Sequence, residues 1–228
     1  MKKLIAQSAR NVNSDWLLVV IFATLQFAGA LPVAKTMSLL LFIPMLVVVF
    51  VLFVALLGRI AERCANKEIS TVASLLKQHS GNIALVVLAL WAPFVVLKDL
   101  STSFNVTSDG LAIVLDFIRT LFRFATVFVL PIVVLRRIGL LAILVGFEFL
   151  YRNFRQSIPI LSIFLTTFLI QLMLAEVMES LPAGMSINYA RLLLWVSVVL
   201  GEYLALLAFS AACAVIVIGD SKTESIQG

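Results

Sequence analysis

The chain is predicted to be an all-α polytopic membrane protein, with six transmembrane helices and two short cytoplasmic interfacial helices in one domain over residues 1–228. Three observations predict this. Hydrophobic residues make up 62% of the chain and charged residues 13%, against about 45–50% apolar and 25% charged in soluble domains. Apolar runs of about 20 residues, each long enough for a hydrocarbon core of about 30 Å, recur along the whole length. Lysine and arginine concentrate in alternate connections between those runs, as expected of a chain that crosses repeatedly.

The first run, 16–32, follows a polar segment, residues 1–15, expected to be ordered only near the membrane. Within it Asn13-Ser14-Asp15 has the composition of a helix cap and sets Trp16 at the interface. Lys2-Lys3, the apolar run and Ala28-Gly29-Ala30 imitate a secretory leader, but the segment is read as the first span. Residues 31–36 suffice only for a tight turn, so the first run and the second, 37–57, form an antiparallel hairpin. Pro44 is expected to kink the second run.

Residues 58–81 are the longest polar connection, and Ile69, Val72, Ala73 and Leu76 recur in it at helical spacing. This predicts a short amphipathic helix, lying on the cytoplasmic surface or covering the end of the bundle. The third run, 82–97, contains Pro93 and ends at Lys98-Asp99. The connection 101–110 is rich in turn formers and holds the sequon pattern Asn105-Val106-Thr107, a pattern that arises by chance. The fourth run, 111–135, leads to Arg136-Arg137 and then to Ile138–Leu150, which at about 13 residues is too short to cross. A second interfacial helix is predicted there, ending in the aromatic and basic stretch Phe147–Arg155. The fifth run, 158–177, and the sixth, 192–218, are joined by a turn at Leu181-Pro182-Ala183-Gly184. A span, a surface helix and a span thus occur twice, over 37–97 and 111–177, with Arg59-Ile60 and Arg137-Ile138 in corresponding places, the pattern of a parallel repeat.

A net charge of +5 would suggest nucleic acid in a soluble protein, but the placement of the basic residues argues otherwise. With six spans, 12 of the 17 Lys and Arg residues lie on the side of both termini, and only Lys35, Lys98 and Arg191 lie on the other. The positive-inside rule makes that side cytoplasmic, where the basic surplus faces anionic headgroups. No nucleic-acid partner is required, and the aromatic–arginine stretch 147–155 serves an interfacial belt better than an RNA surface.

Catalytic constellations are scarce. The chain has one histidine, His79, expected in a solvated connection, so a two-histidine zinc motif is excluded. No Gly-x-Ser-x-Gly elbow or Walker loop occurs. Cys64, in a connection, and Cys213, inside the last run, have contexts that argue against a disulfide or a metal pair. No catalytic activity, cofactor or metal is expected.

The charges inside the runs carry more information. Asp116, Arg119 and Arg123 fall on roughly one face of the fourth run, and Glu202 lies within the sixth. Each ionisable group in hydrocarbon costs about 2.5–3.5 kcal/mol on insertion scales, so this face is expected to look into protein or water. It could line a polar pathway or anion site, or form interhelical ion pairs that fix how the spans dock. Counted inward at about 1.5 Å per residue, Arg123 and Glu202 reach similar depths, which predicts that they pair and leaves Asp116 to Arg119. Arg136, Arg137, Tyr151, Arg152, Phe154 and Arg155 form the interfacial basic and aromatic set. Gly201-x-x-x-Ala205, Ala208-x-x-x-Ala212 and Ser210-x-x-x-Ala214 permit close helix approach, within the chain or in a homo-oligomer.

Val127-Phe128-Val129-Leu130-Pro131-Ile132-Val133-Val134-Leu135, followed by a surface helix and Asn153-Phe154, resembles the membrane domain found beside some glycerophosphoryl diester phosphodiesterases, and related six-span bacterial inner-membrane proteins. The likeness covers roughly residues 50–170. It implies a membrane module without catalytic activity, since no phosphodiesterase domain accompanies it. Arg136-Arg137-Ile138-Gly139 stands where that family often has an acidic, glycine-containing turn. Ala142-x-x-x-Gly146 with Ile158-Pro159 also resembles the coupling loop of ABC-importer permeases, without the Glu-Ala pair that precedes it there. The expected function is a non-enzymatic structural or accessory module of the bacterial inner membrane, engaging lipid or a partner subunit through its cytoplasmic surface helices. The alternative is a transporter or ABC-type permease subunit with the charged face of the fourth run lining the path.

Overall fold

The computed structural model describes residues 2–30, 39–103, 109–179 and 187–227. Nine helices follow one another among them: α1 (Lys2–Asn13), α2 (Trp16–Ala30), α3 (Leu39–Cys64), α4 (Val72–Ser103), α5 (Asp109–Ala125), α6 (Val129–Arg136), α7 (Leu141–Arg152), α8 (Phe154–Glu179) and α9 (Ile187–Gln227). Five helical stretches are long and apolar enough to cross a membrane, and α2 is a shorter apolar helix. The fold is therefore an all-α bundle with several helices able to span. The turns at 31–36 and 181–184 and the sequon at 105–107 lie outside the described residues.

The bundle is centred on α9. Every residue from Leu206 to Ile216 is buried, which requires protein on all sides of the helix. α1, α2, α3, α6 and α8 supply it. Ala208, Ser210, Ala211, Ala212 and Ala214 are all buried, so two of the three small-residue pairs work within the chain, letting neighbouring backbones approach. Ala205, of the third pair, is exposed.

The amino-terminal segment is more ordered than its polarity suggested. Leu4, Ser8 and Val12 recur every four residues and form one stripe of α1, with Ser8 and Val12 fully buried and Leu4 packed on the core. Ser8 is small enough to sit in that stripe, so a helix of low overall apolarity still docks along α9. The expected cap is put to other uses: the Ser14 hydroxyl bonds back to the Arg10 carbonyl, and Asn13 Oδ1 accepts a hydrogen bond from Tyr203 at 2.9 Å.

The amphipathic stretch in 58–81 is not a separate helix. α3 runs through Pro44 to Cys64, and Asn66 then takes the left-handed conformation with φ 52°. Asn66 N–H bonds the Arg63 carbonyl and Lys67 N–H the Glu62 carbonyl, the Schellman termination in which asparagine substitutes for glycine. From Val72 to Ser103 the helix is continuous, so Val72, Ala73 and Leu76 lie in the first turns of α4 while Ile69 precedes it. His79 consequently lies buried in α4 rather than in a solvated loop. Without an intervening surface helix between α3 and α4, the repeat expected over 37–97 and 111–177 is lost. Gly58 marks the α3–α4 crossing, where an added Cβ would meet the Leu75 side chain at 2.7 Å.

The fourth run is broken in two. Pro131 has no N–H to give the Val127 carbonyl, and its ring crowds that position. The helix stops at Ala125, turns through Thr126, Val127 and Phe128, and resumes at Val129. Shorter-range bonds, Val127 N–H to the Phe124 carbonyl and Val129 N–H to that of Thr126, bridge the turn. The break also redirects the chain. α5 packs on α8, through Phe117–Phe168 and Phe124–Phe164 edge contacts, whereas α6 packs on α3, α4, α7 and α9.

Candidate functional site

Three groups of polar side chains lie between or along the helices. The first holds the charges of the fourth and sixth runs. Arg119 and Arg123 are exposed on α5 and Glu202 is half-buried on α9, while the side chain of Asp116 lies outside the described residues. The charge acting on Glu202 is that of Arg123, but no direct ion pair joins the two among the described residues. α8 packs against both α5 and α9. The structure therefore brings Arg123 and Glu202 into one electrostatic neighbourhood without the contact that equal depth suggested.

The second group surrounds α7. Arg136 bonds Asp220 at 2.7 Å, tying the end of α6 to α9. Arg137, in the left-handed conformation with φ 57°, ends α6, donates to Gln78 Oε1 at 3.1 Å and accepts from Asn82 Nδ2 at its carbonyl. Arg152 pairs with Glu148 one turn earlier at 2.6 Å. Phe154 stands edge-on to Phe124, and Arg155 and Tyr151 are exposed. α7 has two faces. Ala142 and Gly146 are buried against α6, whereas Leu141, Leu144, Phe147 and Tyr151 point away from the bundle, with Tyr151 87% exposed.

The third group was not foreseen. Asp15, 4% exposed at its side chain, receives Arg59 at 3.2 Å and Arg63 in a second, shorter contact. Arg59 and Arg63 are four residues apart and so share a face of α3. Arg63 also donates to the Asn11 carbonyl at 3.0 Å, closing the end of α1. Asn11 Nδ2 donates to Cys64 Sγ at 3.2 Å, and Cys64 in turn contacts the Ser210 carbonyl and hydroxyl. Ser210 stands three residues before Cys213 on α9, so Cys64 packs on the helix that carries the second cysteine. The two cysteines, taken from their sequence contexts as unrelated, lie on helices that touch at Cys64. The available signal was the i, i+4 arginine pair opposite an acid at the start of a span; the packing of Cys64 on Ser210 had none.

Beside this junction, Trp16, Val19 and Val20 of α2 and Trp195, Val199 and Tyr203 of α9 line an apolar groove of about 320 Å³. Trp195 donates to Thr24 at 3.0 Å across the same helix pair. Among the described residues no group of three or more His, Cys, Asp or Glu side chains could hold a metal ion. No protein-family model matches the chain, and no similar curated protein or solved structure was found.

Proposed function

We propose that this chain is a non-enzymatic accessory module of the bacterial inner membrane, with both termini cytoplasmic, that rests the outer face of α7 in the lipid headgroup region. The observation that carries this reading is the exposed stripe Leu141, Leu144, Phe147 and Tyr151, continued by exposed Arg152 and Arg155. An apolar stripe ending in arginines matches the boundary between acyl chains and anionic headgroups. The resemblance of Val127–Leu135 and Asn153-Phe154 to the membrane domain beside certain phosphodiesterases supports the same module.

Single cysteines at 141, 144 and 151, in a background with Cys64 and Cys213 replaced by serine, provide the test. Labelled with a polarity-sensitive fluorophore in nanodiscs, they are expected to be quenched by lipid-borne quenchers near the headgroups, more strongly with anionic than zwitterionic lipid. Quenching only by a water-soluble agent would refute the lipid contact, and protection by a co-purifying subunit would make α7 a protein interface instead.

A second reading, a transport subunit, is favoured by the exposure of Arg119 and Arg123 on α5. Cysteines there that react with a membrane-impermeant thiol reagent, and are shielded by a transported anion, would support a hydrated path. Unreactive cysteines would favour the accessory role.

A further inference from the structure

The groove between α2 and α9 is an exposed apolar feature to which α7 contributes no residue. Hydrogen bonds between its walls give it direction. At the start of α2 the Tyr203 hydroxyl donates to Asn13 Oδ1 at 2.9 Å, and near the middle of α2 Trp195 Nε1 donates to Thr24 Oγ1 at 3.0 Å. These bonds engage the polar atoms of both side chains, so what Tyr203 and Trp195 turn to the groove is ring face. Residues 195 and 203 are about 12 Å apart along α9. Spread over that length, the groove's volume of about 320 Å³ is a channel roughly 5 Å across, room for one hydrocarbon chain. A partner helix, at about 10–12 Å with its side chains, is too wide to enter it.

The Tyr203 end is bordered by positive charge. Arg10 lies three residues before Asn13 on α1, is exposed, and enters no ion pair among the described residues. Lys3, also exposed, lies two turns before Arg10 on the same face. Asp15 is enclosed between Arg59 and Arg63, and Glu202, though adjacent to Tyr203 in sequence, does not line the groove. An apolar channel one chain wide, with an exposed guanidinium beyond its end, is complementary to a lipid with a negative headgroup.

We propose that this groove is a binding site for one anionic phospholipid, with an acyl chain along Trp16, Val199 and Trp195 and the phosphate at Arg10. The indole rings and valines cover the methylenes, and the guanidinium donates to the phosphate oxygens. A zwitterionic lipid offers the same chain, but its ammonium offsets the phosphate charge, so Arg10 selects the anionic one. Since α7 takes no part, the site stands or falls independently of where α7 rests.

The chain has three tryptophans, and two of them line the groove, so tryptophan fluorescence tests the proposal on the full-length protein. Trp91→Phe leaves the groove pair, and Trp16→Phe with Trp195→Phe leaves Trp91, 63% exposed on α4, to report ordinary lipid contact. Each is placed in phosphatidylcholine nanodiscs carrying a small fraction of chain-brominated phosphatidylglycerol or, separately, chain-brominated phosphatidylcholine. The groove pair is expected to be quenched by the brominated phosphatidylglycerol at about fivefold lower content than by the brominated phosphatidylcholine, and Trp91 equally by both. Arg10→Gln should abolish that preference and Arg10→Lys should keep it. Val199→Phe, which fills the channel, should protect Trp195 from both. Equal quenching of the groove pair by the two lipids would reduce the site to ordinary lipid contact and overturn the proposal. Protection of the pair from both lipids in the otherwise unaltered chain would mean that a second copy covers the groove, and would overturn it too. A preference that survives Arg10→Gln would overturn the placing of the phosphate, and undiminished quenching of Trp195 in Val199→Phe the placing of the chain.

Discussion

Asp15 shows how one side chain can settle the packing of three helices. A carboxylate 4% exposed is costly unless paired, and it is paired twice, by Arg59 and Arg63 from successive turns of α3. Arg63 spends a further donor on the end of α1, so α1, α2 and α3 are joined by a few atoms. Asp15→Asn keeps the shape and removes the charge, leaving two guanidiniums facing each other. It should cost about 3 kcal/mol, the lower end for breaking a buried pair because both arginines reach solvent, and a denaturant titration in mild detergent would measure it. Exchanging Asp15 with Arg59 should recover less than half of that loss, because the Arg63 contact would then join like charges.

At the scale of elements, the α6–α7 hairpin rests on an absent side chain. A Cβ on Gly146 would lie 2.8 Å from Val129 Cγ2 and 3.2 Å from the Val129 backbone, and that backbone begins α6 and cannot yield. Gly146→Ala is expected to destabilise by about 1–3 kcal/mol as α7 is pushed outward. Gly81, within α4, faces open space. Gly81→Ala should therefore stabilise by roughly 0.5–1 kcal/mol, the usual helix-interior preference, and thermal unfolding of the two variants side by side should move in opposite directions. α7 was legible in the sequence because Arg136-Arg137 and a stretch too short to cross bracket it. The break before it was not, because Pro131 lies in an otherwise continuous apolar run and prolines are tolerated in many membrane helices.

For the whole molecule, the distribution of charge predicts orientation. A reporter active only outside the cytoplasm, fused after Gly228, should stay silent, since 12 of the 17 basic residues then lie inside; activity would reverse the topology or change the number of crossings. Arg123 and Glu202 act on each other through space from α5 and α9. Arg123→Gln and Glu202→Gln should each lower accumulation in the membrane by less than Asp15→Asn does, because no direct ion pair is broken. Equal losses from all three in a quantitative immunoblot would mean that the pair closes in the bilayer.

The all-α class, the helices able to span, the inward packing of the small residues on α9 and the existence of α7 follow from composition and period, which are sums over neighbouring residues. A run of apolar residues is buried by whatever surrounds it, so its presence can be read without knowing its neighbours. The neighbours themselves were decided only by the fold: α9 as the centre, α1 as a docked helix, Asp15 between two arginines, and Cys64 against Ser210. Each depends on how a helix is rotated and which partner it crosses, and that is set by side chains far apart in the chain that no local pattern records.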